Sequence, residues 1–177
     1  MNNQSDQDIE SFVARALLAI LAGEVTELER PTMRDARQFR YDETETPDLM
    51  LIETRYGNPV NYTSAYLLYG NSDEEHKKDK LIWRLTLDIV WDDAELLLHG
   101  LNLPTAQAFY DKARSDGYVK SIVAKIPKLN KGTYTFEDTA NPEVSGFSGE
   151  HIVCFRNGKT SHTICTATFY GGRYRPS

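Results

Sequence analysis

A chain of 177 residues, 40% of them hydrophobic and 11% aromatic, is long enough to bury one sizeable core and too apolar to remain disordered. Its formal charge of −6 is unevenly spread: residues 1–100 carry 20 Asp/Glu against 10 Lys/Arg, whereas residues 101–177 carry 6 against 10. The acidic part argues against nucleic acid as a partner, because it repels phosphate within the screening length, and no apolar run reaches the roughly 20 residues of a membrane span.

The acidic, amide-rich start lacks the basic region of a secretory signal, and two cysteines are too few for a disulfide framework. A cytoplasmic location is therefore expected. Ile9, Phe12, Val13, Ala16, Leu17, Ile20 and Leu21 recur at helical spacing, predicting an amphipathic helix capped by Ser5 or Asp6 and ended by Gly23. The stripe suits a core-facing helix, and it would also serve a homodimer contact.

From Glu24 to Pro47 charges are dense and apolar residues sparse, which reads as an irregular or short-helical connection over the surface. LMLIETRYG (49–57) and NYTSAYLLYG (61–70) are rich in aromatic, β-branched and large apolar residues and are separated at Gly57-Asn58-Pro59, predicting a hairpin. After a polar loop over 71–80, Ile82, Arg84 and Thr86 alternate with Trp83, Leu85 and Leu87, predicting a long strand with one solvated edge or face. A short helix then ends near Gly100, and a second enters at Pro104 and closes at Gly117.

YVKSIVAKI (118–126), GTYTF (132–136), EHIVCF (150–155) and SHTICTATFY (161–170) read as strands, with Lys131-Gly132 and Asn157-Gly158 as turns, and residues 171–177 as a frayed, basic tail. Helix, strands, helices, strands is the order of one α+β domain over 1–177. Its sheet is largely antiparallel, with the N-terminal amphipathic helix and the central helical segment packed on one face.

The stretch that most suggests chemistry is HIVCFRNGKTSHTIC (151–165), with two His-x-x-Cys repeats. A two-residue Asn157-Gly158 hairpin sets Arg156 opposite Lys159, Cys154 opposite Ser161 and Cys165 opposite Glu150. On that register both cysteines share a face about 13 Å apart, too far for a disulfide. The histidines occupy the other face, so four ligands cannot converge on one zinc ion. His151 and His162 become diagonal neighbours about 7 to 8 Å apart, able to share a small anion, with Arg156 or Lys159 holding it.

Asp92 and Asp93, near Asp88 and directly before AELLL, read as a helix cap rather than a cation site. Asp48 and Glu53 are too closely spaced for the carboxylates of a metal-dependent nuclease, and Arg55 does not replace a lysine base. No phosphate loop, nucleophile elbow or zinc-protease helix is present in the sequence. No cofactor or metal is expected.

Tyr62, Tyr66 and Tyr69 crowd beside the acidic Asp73, Glu74 and Glu75, a combination suited to protein recognition. The expectation is a non-enzymatic module that binds a basic protein: an inhibitor or immunity protein neutralising a toxin or nuclease, or else a chaperone for a secreted effector. The alternative is a small enzyme acting on an anionic substrate through His151 and His162.

Overall fold

A computed structural model describes residues 5–29, 35–71, 80–121, 129–131, 134–139 and 147–174. The chain runs α1 (Asp6–Ala22), β1 (Thr26–Glu27), β2 (Arg37–Tyr41), β3 (Met50–Asn58), β4 (Asn61–Gly70), β5 (Lys80–Trp91), α2 (Asp93–Leu98), α3 (Leu103–Ser121), β6 (Leu129–Lys131), β7 (Tyr134–Asp138), β8 (Phe147–Asn157) and β9 (Thr160–Arg173). All nine strands join one antiparallel sheet in the order β1-β2-β3-β4-β5-β9-β8-β7-β6. Two meanders thus meet where β5 pairs with β9, and the connection between them is the α2–α3 segment. The fold is the expected α+β class.

The N-terminal helix forms as its sequence dictates. Ser5 Oγ accepts from the Asp8 amide while the Asp8 carboxylate accepts from the Ser5 amide, and Gly23 closes the helix at φ 75°. Ile9, Phe12, Val13, Ala16, Leu17 and Ile20 are all buried. The apolar stripe is consumed by the chain's own core and is not free for a homodimer. Arg15 on the flank of α1 donates to Glu43, tying down the segment between β2 and β3.

β5 shows why one face of the sheet is dry. Trp83, Leu85, Leu87, Ile89 and Trp91 are buried under the helices, whereas Arg84, Asp88 and Val90 point to solvent from the opposite face. The solvated side is a face and not an edge, since β5 lies between β4 and β9. Gln107 of α3 brackets two strands at once: its Oε1 accepts from Tyr62 Oη at 3.1 Å and from Trp91 Nε1 at 2.9 Å.

Several boundaries differ from the sequence expectation. The charged 24–47 segment contains β1 and β2; RQFRY alternates about a single strongly apolar side chain, Phe39, so its strand character rests on pairing with β3 rather than on local pattern. α3 runs through Gly117 to Ser121, taking in Tyr118–Ser121 of the expected strand, because a helical glycine weakens a helix by about 1 kcal/mol without ending it. Residues 122–128 and the Gly132 turn lie outside the described residues. The C-terminal stretch does not fray at 171: Gly171, Gly172 and Arg173 pair with β5, and the Tyr174 amide donates to the Ile82 carbonyl. No helix is long and apolar enough to cross a membrane among the described residues.

Candidate functional site

The β8–β9 hairpin turns one residue later than its Asn-Gly suggests. Asn157 pairs with Thr160, so the two-residue loop is Gly158-Lys159, with Gly158 at φ 63° and Lys159 at negative φ, as a turn with glycine first requires. This moves His162 opposite Phe155, four residues along β8 from His151 and so about 13 Å away. A bulge between Val153 and Cys154 then leaves Ile164 unpaired in β9 and sets Cys165 opposite Val153.

Two corrections follow. The histidines share the helix-covered face of the sheet but do not share a site. The cysteines stand at neighbouring rungs on opposite faces, so both thiols are free for a different reason from the one the uninterrupted register gave. Cys165 is turned into the core, 1% exposed, and burial pushes its thiol up to about 12; Cys154 lies on the other face, 3.7 Å from Thr163 Oγ1.

His151 is buried within an aromatic wall, its ring centroid 4.6 Å from Phe169, 5.2 Å from Phe136 and 5.8 Å from Tyr110. Its Nε2 lies 3.2 Å from Asp138 Oδ2, and its Nδ1 lies 2.9 Å from Tyr110 Oη. A carboxylate only accepts, so the neutral ring donates from Nε2 and accepts the tyrosine proton at Nδ1. Desolvation lowers its pKa, against the opposing pull of Asp138. Arg114 stacks over the Tyr110 ring at 5.2 Å and donates to Tyr66 Oη at 3.0 Å, extending this internal polar chain across the core. Both ring nitrogens of His151 are thus engaged inside the core.

His162 belongs to a different cluster. The Asp92 side chain accepts from the Glu95 amide and starts α2, while the Asp92 amide donates to the Ile164 carbonyl of the bulge, holding the helix on β9. Leu96 is the buried anchor. Glu95 on α2 and His99 at the cap that ends it, four residues apart, then reach the β9 side chain: His99 Nε2 is 3.1 Å and His162 Nδ1 3.8 Å from Glu95 Oε2, and the two imidazole centroids are 4.4 Å apart. Beside them Leu97 and Leu98 project into solvent, 83% and 72% exposed, flanked by exposed Asp92 and Asp93. Glu95, His99 and His162 can converge on a metal ion. Sequence reading misses the trio because α2 meets β9 only in the tertiary structure; the one local signal is the Glu-x-x-x-His spacing of Glu95 and His99.

The tyrosine–acid surface divides. Tyr66 is 1% exposed and therefore cannot meet a partner; Tyr62 is half-buried, its hydroxyl on Gln107 and its pKa raised to about 12 by burial; Tyr69 is half-buried. The alternation of β4 forces this, since Tyr62 and Tyr66 both fall on the inner face with Leu68. Asp73, Glu74 and Glu75 lie outside the described residues.

Asp88 accepts from Thr63 on the outer face, Asp92 caps α2, Asp48 accepts from Asn71, and buried Glu53 pairs with Arg55. Among the described residues these carboxylates do not assemble a cation site. A cleft of about 430 Å³ between the sheet and α3 is lined by Arg37, Arg55, Tyr62, Gln107, Asp111 and Arg114 among others. Arg37 is held by Glu27 and Arg55 by Glu53, so these two lining arginines are already neutralised.

The fold and the site define an α+β protein whose open chemistry sits on a short helix laid against the end of a hairpin. No protein-family model matches the chain, and neither a curated protein nor a solved structure is significantly similar to it.

Proposed function

We propose that this is a non-enzymatic binding module for a basic protein, in its most concrete form an inhibitor or immunity protein that neutralises a toxin such as a nuclease within the cytoplasm. The observation that carries the reading is the α2 surface: two adjacent, solvent-exposed leucines beside Asp92 and Asp93. Exposed large apolar side chains rimmed by charge are the usual make-up of a protein contact, with the leucines supplying buried area and the carboxylates steering a basic surface into place. The excess of acid over base in residues 1–100 extends that field. The proposal rests on α2 because Tyr66 of the β4 surface is buried and Asp73, Glu74 and Glu75 lie outside the described residues.

The test is affinity capture from native lysate at low and high salt, comparing the parent chain with a Leu97→Ser/Leu98→Ser variant and an Asp92→Asn/Asp93→Asn variant. A basic protein held at low salt, released by salt and lost with the leucine variant supports the proposal. Capture that is indifferent to both variants refutes the α2 surface.

A further inference from the structure

We propose that Glu95, His99 and His162 form a binding site for one divalent transition-metal ion, with zinc as the species best suited. The inference goes beyond the binding-module reading and does not rest on it.

Zinc bonded to imidazole nitrogen at about 2.0–2.1 Å and to carboxylate oxygen at about 2.0–2.2 Å, in tetrahedral geometry, holds its ligand atoms about 3.3–3.5 Å apart. The distances from Glu95 Oε2, 3.1 Å to His99 Nε2 and 3.8 Å to His162 Nδ1, straddle that spacing. All three donor atoms lie within 4.8 Å of one another, so side-chain adjustments of about an ångström bring them onto one ion.

The donors are also held from separate elements. Asp92 fixes the turn that presents Glu95, and the His99 ring rests on Phe155 with centroids 5.2 Å apart. His162 comes from the first turn-proximal rungs of β9, opposite Phe155. Two imidazoles and one carboxylate are a ligand set that zinc takes with an open fourth position. The side chains are 11% (His99), 31% (Glu95) and 30% (His162) exposed, so an ion can reach the cluster from solvent.

Charge points the same way. Among the described residues no lysine or arginine pairs with Glu95; its only ionic neighbours are the two histidines. The two imidazole rings stand 4.4 Å apart over that one carboxylate. A divalent ion between neutral imidazoles satisfies the carboxylate and both lone pairs together.

The experiment uses the full chain, stripped with chelator and dialysed, titrated with Zn²⁺ by calorimetry and with Co²⁺ by visible absorption. Parallel titrations use His162→Gln, His99→Gln and, as a control for the solvent-side thiol, Cys154→Ser. The expected result is one ion per chain, weakened at least tenfold by each histidine substitution and unchanged by Cys154→Ser, with Co²⁺ shifting the imidazole proton resonances of His99 and His162 in the parent protein. Absence of binding by a folded parent chain overturns the proposal. So does binding that survives both histidine changes, binding that Cys154→Ser abolishes, or Co²⁺ that leaves those resonances in place. The resonance shift needs no substitution, so it decides the matter even where a variant fails to fold.

Discussion

Phe155 and His162 face each other across the β8–β9 ladder, and the His99 ring lies against both, 5.2 Å from one and 4.4 Å from the other. This contact carries the α2 helix, its exposed leucines and its Glu95 to the end of the hairpin. It also separates His162 from His151, so that one histidine serves a surface and the other the core.

The separation has a measurable consequence at His151. His151→Ala deprives the buried Asp138 carboxylate and Tyr110 hydroxyl of a partner and opens a cavity among Phe136, Phe169 and Tyr110, with an expected loss of about 3 kcal/mol. Urea unfolding checks this. Because the folded pKa lies below the unfolded 6.5, the neutral ring's contribution is complete above about pH 6.5. It is lost as pH falls through 6.5 toward the folded value, so the gap between the parent chain and His151→Ala should narrow in that window.

Glu43 gives the opposite pH window. Arg15 chiefly, with Thr46 and Tyr41, holds its carboxyl down at about 2 from an ordinary 4.5. The folded value is depressed, so the contribution is present above about pH 4.5 and lost as pH falls toward 2. Since Arg15 is 40% exposed, solvent screening reduces the effect to about 1 kcal/mol. Arg15→Met should cost that amount at pH 6 and progressively less below pH 4, measured by denaturant midpoints.

Gly57 occupies φ 118° at the end of β3, where an added Cβ would sit 2.4 Å from the Asn61 carbonyl oxygen and 2.7 Å from Tyr62 Cα. Gly57→Ala is expected to destabilise the protein by about 2–3 kcal/mol through backbone strain and displacement of the β3–β4 turn. Thermal unfolding by circular dichroism reads the loss.

The cysteines report the bulge directly. In the native protein a thiol reagent should modify Cys154 and spare Cys165, and both should react in denaturant; mass spectrometry after timed labelling gives the count. Equal native rates would mean that Cys165 is not turned inward and that the β9 register lacks its extra residue.

Much of this architecture is legible in the sequence where local pattern and tertiary role agree. The α1 stripe, the Ser5 and Gly23 caps, the Asp92 cap and the alternation of β5 are all written in side-chain period and end signals. β2 is not, because RQFRY becomes a strand only through its partners. Asn157-Gly158 localises the hairpin, yet pairing chose the loop one residue later, and no residue between 153 and 165 announces the bulge. Those two steps decide which face Cys165 takes and which neighbour His162 meets. The α2 surface was hidden for a different reason: AELLLH reads as an ordinary amphipathic turn until Leu96 alone is found to be buried.

The most direct test of the binding-module account is calorimetric titration of the captured, purified partner into the parent chain and into Leu97→Ser/Leu98→Ser, with circular dichroism confirming that the variant is folded. The account expects affinity to fall at least tenfold in the variant and to weaken with salt in the parent. Equal affinities for the two chains would contradict it and place the contact elsewhere on the molecule.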